Sequence, residues 1–322
     1  MSQHASNPSK RRVLAGITLS ALAALAACAD RPTSPAVSAT AGKASGSLKP
    51  ETFLFSGTQT GVAKIYSANA DGSNIRQLTT GAGVDIAPNY QPGNKRFVWV
   101  RTDPTLGTSE IWTALANGAN AKRLTPAGVI AENPEYSPDG KKIAFDVGGR
   151  ETTVHRIAFM NADGSGLVLD APSLPEGVAP TWSPFGDAIA FQGDSPSGIP
   201  SIYLLQLDGA ATPQLLVECA VQPGCSDPDI DPAGNVLAFV DNSTHQLGLL
   251  ADATGAVTYV GGGSSVLGNP TWSRNGDRIL FDSDLLDDSR DVFAIQSDDP
   301  VGSVFVRLTK FSGEEIAPAA SR

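Results

Sequence analysis

Chemically versatile residues are scarce in this 322-residue chain: three histidines, three cysteines and two methionines, with only 17% of positions charged. His155 and His245 stand apart, without the clustered spacing of metal ligands, and read as strand or surface residues; His4 lies in the N-terminal segment. Two of the cysteines have no histidine near them, which makes zinc a poor reading. No D-x-D-x-D-G run with a distal glutamate occurs, so the many Asp-Gly pairs are turns and not calcium loops. Gly193-Asp194-Ser195 leads into a proline- and glycine-rich loop, with no strand-to-helix elbow to present the serine. Positive charge is also short, with 23 Lys and Arg against 33 Asp and Glu. That balance excludes a nucleic-acid partner and favours cations or basic groups.

Glycine and proline are plentiful, at 33 and 23 residues, and six of the prolines keep time. Pro88, Pro134, Pro180, Pro228, Pro270 and Pro318 are separated by 46, 46, 48, 42 and 48 residues. Each of the first five opens a similar phrase: PNYQPGNKRFVWV, PEYSPDGKKIAFDV, PTWSPFGDAIAFQG, PDIDPAGNVLAFVD and PTWSRNGDRILFDS. In the second copy, Asn133–Tyr136 is a short extended stretch and Ser137-Pro138-Asp139-Gly140 a turn. Lys142–Val147 follows as a half-buried strand, then strands over Arg156–Met160 and Leu167–Asp170. Four antiparallel strands repeated every 40 to 50 residues predict an all-β fold, a β-propeller.

Residues 52–80 supply three strands without an opening strand, and Ile316–Ser321 is an opening strand with nothing after it. Together they complete a sixth blade, so we expect a six-bladed ring closed by the C-terminal strand joining the N-terminal blade. Trp182 and Trp272 fall where Tyr90 and Tyr136 fall in other copies, as expected of packing residues.

The N-terminus reads as a targeting signal. Lys10, Arg11 and Arg12 precede an apolar run from Val13 to Ala27 that is too short to span a membrane. Leu25-Ala26-Ala27-Cys28 resembles the bacterial lipobox, and the resemblance implies cleavage before Cys28 and lipid attachment to it. The expected organisation is a signal over 1–27, a flexible tether over 28–50 and one propeller domain over 51–322. Without the signal the chain has 20 basic and 33 acidic residues, a net charge near −13. Cys219 and Cys225 flank a Pro-Gly turn and are expected to form a disulfide in an oxidising compartment. Ala29 directly after Cys28, in place of aspartate, points to a lipid-anchored protein of the outer membrane, facing the periplasm.

A carboxylate or amide lies near each timed proline: Asp85, Glu132, Glu176, Asp227, Asn269 and Glu315. In a propeller these loops converge on the mouth of the central channel. The six would form a ring able to hold a divalent cation such as calcium, with Asp85, Asp227 and Glu315 as candidate ligands, or a basic partner residue. The same residues could instead cap turns by accepting backbone N–H groups.

The pattern P-x-[WYF]-S-P-D-G-x-x-[IL]-[AL]-F followed by x-x-L-T is similar to the TolB-type propeller repeat. It is clearest at Pro134 and Pro180 and in the endings RQLT at Arg76 and KRLT at Lys122, and it covers essentially all of 51–322. The resemblance implies a six-bladed ring. TolB carries an α/β domain ahead of its propeller, where this chain has the 22-residue stretch 29–50. The expected function is a monomeric, membrane-tethered, non-enzymatic module presenting one face to an envelope protein or ligand. The alternative is a lyase- or lactonase-like propeller enzyme with a metal in the channel.

Overall fold

A computed structural model describes residues 51–148, 154–169, 175–207, 212–261, 265–286, 289–298, 304–311 and 313–321. The signal, Cys28 and the tether lie outside the described residues. Among those described there are strands and turns and no helix.

The strands form antiparallel meanders. Three four-stranded sheets begin with Val178–Trp182, Cys225–Ile230 and Leu267–Trp272, and each runs strand by strand in chain order. A seven-stranded sheet consists of two such meanders, one from Val84–Tyr90 and one from Ile130–Tyr136. A single parallel residue pair, Ser109 with Ile130, joins them. In the remaining four-stranded sheet the last strand of the chain, Glu315–Ala320, pairs antiparallel with the first, Thr52–Gly57.

Each sheet buries an aromatic at the same place in its second strand: Phe55, Trp99, Phe145, Phe191, Phe239 and Phe281, all at most 1% exposed. These rings pack between sheets; Phe191, for example, lies in one cluster with Ala144 and Ile157 of the preceding sheet. The x-x-L-T ending has a physical reason. The hydroxyls of Thr79, Thr125 and Thr309 accept the N–H of Ile65, Ile111 and Val292 at 2.9–3.0 Å, satisfying buried backbone donors of the third strand.

The timed prolines sit differently from expectation. They do not open their strands; Pro134 is the fifth residue of Ile130–Tyr136. At each the pairing register shifts, a β-bulge. The residue before each proline is left-handed: Ala87, Asn133, Ala179, Asp227, Asn269 and Ala317 have φ between 49° and 51°. Asn and Asp tolerate this region, whereas alanine there costs roughly 1 kcal/mol or more. A bulge is also a place where a strand can accept a proline, because one ladder hydrogen bond is already missing.

Candidate functional site

The opening strands begin, the second strands end and the third strands begin at one end of the sheets, because neighbours run antiparallel. Five of the six expected site residues lie in the leading parts of the opening strands at that end, and Glu176 lies just ahead of its own. Measured from the proline they stand one to four residues back, on alternating sides of the pleat. They therefore do not make one ring of equivalent side chains.

Asp85 is fully buried. It accepts from Arg101 Nε and Nη2 at 2.6 and 2.7 Å and from the indole N–H of Trp99 at 3.0 Å, with Lys64 Nζ 3.7 Å away. Arg101 also stacks on Trp112, its guanidinium carbon 4.9 Å from the ring centre. Glu315 is buried too: Oε1 accepts from Gln59 at 2.8 Å while the carboxyl faces Asp291. Burial, and then the neighbouring Asp291, push the Glu315 carboxyl up to about 8. Glu176 is exposed and ion-paired with Arg156 at 2.8 Å.

Asp227 and Asn269 are two of the left-handed residues. The Asp227 carboxylate accepts from Ser226 Oγ at 2.9 Å and from the backbone N–H of Asn269 in the next sheet; burial raises its pKa. The same link recurs with second-strand carboxylates. Asp146 Oδ1 accepts from the Ala179 N–H at 3.1 Å, and Asp282 Oδ1 from the Ala317 N–H at 3.0 Å. Burial also raises the Asp282 pKa, opposed first by Arg290, with which it is ion-paired. These carboxylates cap the bulges between neighbouring sheets; of the three, Asp227 alone belongs to the six expected site residues.

Asp85, Asp227 and Glu315 do not come together as ligands. Among the described residues, the group of three or more His, Cys, Asp or Glu side chains with that geometry is Glu132, Asp146 and His155. Their ligand atoms lie within 4.8 Å of one another. Glu132 and Asp146 are cross-strand partners, and His155 starts the third strand of the same sheet. His155 Nδ1 lies 3.0 Å from Asp146 Oδ2, and that hydrogen bond is the main cause of a raised imidazole pKa. Reading His155 as an isolated strand residue missed this. The separations of 14 and 9 residues follow no metal motif, and only the hairpin register pairs position 132 with 146. Cys219 and Cys225, at the end of the preceding sheet and the start of the next, are joined in a disulfide with Cα atoms 6.0 Å apart.

The family model of the TolB beta propeller domain matches residues 43–176. No curated protein matches the chain. Among solved structures it is similar to TolB from Acinetobacter baumannii, with 17% identity and a TM-score of 0.70 over 84% of this chain and 66% of that one. This chain thus spans just under two thirds of that protein. A putative TolB from Agrobacterium tumefaciens gives 18% identity and a TM-score of 0.63 over 84% and 92%. Kuenenia stuttgartiensis hydrazine synthase gives 14% and 0.66 over 85% and 47%. Identities this low speak for fold alone. With the repeats and the sheets described above, they show a β-propeller fold similar to that of TolB proteins.

Proposed function

We propose that residues 51–322 form a closed six-bladed ring, carried on a lipidated Cys28 and a tether over 28–50. The ring serves as a non-enzymatic binding module of the cell envelope and offers its acidic strand-end face to a basic partner. The observation that carries the ring is a repeated contact. A Cβ on Gly118 would lie 2.2 Å from the Leu78 carbonyl oxygen of the preceding unit, and on Gly164 3.0 Å from that of Leu124. A Cβ on Gly72, in the first unit, would meet the carbonyl oxygen of Leu308, in the last, in the same way. The first and last units therefore touch as consecutive units do. Dividing the seven-stranded sheet at its single parallel pair gives the count of six.

The binding role is supported by charge. The mature chain is near −13, and the acidic residues Glu132, Glu176 and Asp227 lie toward the same strand ends, Glu176 being exposed and the other two partly so. A lipid anchor at Cys28 would hold that face within reach of envelope proteins, with the outer membrane facing the periplasm as the proposed site. The fold is shared by TolB proteins and by an enzyme, so it does not choose the function.

The test is capture from detergent-solubilised envelope with the full-length lipidated protein. We expect a partner that elutes with salt, stays bound in chelator, and is reduced several-fold by the double change Glu176→Gln and Asp227→Asn. Undiminished capture by a double variant that folds as the wild type does would overturn the acidic-face reading.

A further inference from the structure

We propose that Glu132, Asp146 and His155 form a binding site for a divalent metal of the zinc class. The site shares Glu132 with the face proposed above but does not rest on that reading. It uses one nitrogen and two carboxylate oxygens from three adjacent strands of one sheet, and leaves a coordination position open to water or to a donor from a ligand.

Distances support it first. In a tetrahedral centre with bonds of about 2.0–2.1 Å, ligand atoms stand roughly 3.3–3.4 Å apart. His155 Nδ1 and Asp146 Oδ2 are 3.0 Å apart, and the whole set falls within 4.8 Å.

The second support is a set of outer contacts that fix the ligands from behind. Asp146 is fully buried, and its Oδ1 is held by Asn133 Nδ2 at 2.8 Å and by the Ala179 N–H at 3.1 Å. That leaves Oδ2 directed at the imidazole. Glu132 Oε1 accepts from Ser109 Oγ at 3.1 Å. Ligating carboxylates held in this way are what metal sites require, and loss of such a contact weakens affinity by about 10–100-fold.

The third is space made for the ring. Gly148 is the cross-strand partner of His155, and a Cβ there would lie 2.8 Å from Nε2 and 3.0 Å from Cδ2 and Cε1. Its φ is not left-handed, so the backbone does not call for glycine here; the imidazole lying across it does. Arg156, the residue after His155, turns to Glu176. Two carboxylates around one imidazole therefore make a field that favours a cation. An imidazole in the set selects zinc, nickel or cobalt over calcium and magnesium, which take all-oxygen sites.

The experiment uses the full chain in detergent, dialysed against zinc sulfate and then against metal-free buffer. Metal content is read by elemental analysis, and visible absorption is read after loading with cobalt. We expect one zinc per chain, not displaced by millimolar magnesium or calcium, and a cobalt spectrum of low-symmetry four- or five-coordination. His155→Ala should abolish both, and Asn133→Ala should weaken zinc affinity at least ten-fold. His155→Gln, which keeps a hydrogen-bonding group against Asp146, guards against loss of fold; it should melt near the wild type yet lose zinc. A wild type without stoichiometric zinc overturns the proposal. So does equal zinc binding by folded His155→Gln and Glu132→Gln, or displacement of zinc by calcium.

Discussion

Replacing Asp85 by alanine separates a structural carboxylate from a binding one. The change removes the acceptor for both guanidinium contacts of Arg101, for the Trp99 indole N–H and for Lys64, whose side chain is 4% exposed. Breaking a buried ion pair from one side costs about 3–5 kcal/mol, because the remaining charge stays desolvated. Arg101 is 21% exposed and keeps its stacking on Trp112 and its bond to the Thr80 carbonyl, so the cost falls near the lower bound, about 3 kcal/mol. Lys64 also retains its bond to the Gly83 carbonyl. In a domain of this size 1 kcal/mol moves the midpoint by about 2 °C, which gives a drop of about 6 °C. Asp85→Asn keeps one oxygen for Trp99 but loses the charge, and should fall between wild type and alanine. The combined change Asp85→Leu, Lys64→Met and Arg101→Leu should recover much of the loss, since removing all the charges together leaves none stranded. The assay is a thermal melt followed by circular dichroism at neutral pH. An alanine variant melting within about 2 °C of wild type would refute the argument.

Glu315 carries a pH dependence whose sign is fixed by its environment. Its folded pKa of about 8 lies above the ordinary 4.5, so the carboxyl is neutral in the folded protein and ionised when unfolded between those values. Its contribution is complete below pH 4.5 and is lost as pH rises through about 8, with a slope of at most ~1.4 kcal/mol per pH unit. Glu315→Gln should flatten that part of the stability curve, and an unchanged slope in urea titrations from pH 5 to 8.5 would count against it. Deleting the last six residues removes most of the strand paired with Thr52–Gly57 and should lower the melting temperature of the whole domain; truncated protein melting like wild type would rule out closure by that strand. Cys219 and Cys225 should resist alkylation until reduced, and Cys219→Ser with Cys225→Ser should cost about 2 kcal/mol, as measured by denaturant melts. Cys28→Ala should block acylation and cleavage at that residue, which mass spectrometry of the membrane fraction reads directly.

Much of the architecture was legible because it is written in repeated local chemistry. A turn such as Ser137-Pro138-Asp139-Gly140 needs a residue that tolerates positive φ, and Gly140 has a φ of 69°. The Phe145 position needs a large ring between sheets, and every copy supplies an aromatic there. Such demands recur with each unit, so periodicity exposes them. The prolines were legible as markers and not as geometry. Their spacing gave the repeat, but the bulge at each depends on a preceding left-handed residue, and alanine fills that place three times without any local signal.

The site was less legible because its pairings lie between strands and between sheets. Asp85 and Glu315 both stand three residues ahead of their prolines, where the other copies carry no charge, and their partners, Arg101 and Asp291, come from neighbouring strands or sheets. Asp146 is a further case. In the sequence it follows Phe145 as Asp282 follows Phe281, where three other copies have Val100, Gln192 and Val240, and nothing beside it marks a histidine partner. In the fold it receives an amide from its own sheet, a backbone N–H from the next and an imidazole from the adjoining strand. A carboxylate with one such contact is a cap. One whose second oxygen is left facing an imidazole and a second carboxylate is held ready for a cation as well. Oδ1 caps the bulge and thereby aims Oδ2 at the site, so Asp146→Ala should reduce stability and metal affinity together, whereas His155→Gln should reduce metal affinity with little change in stability.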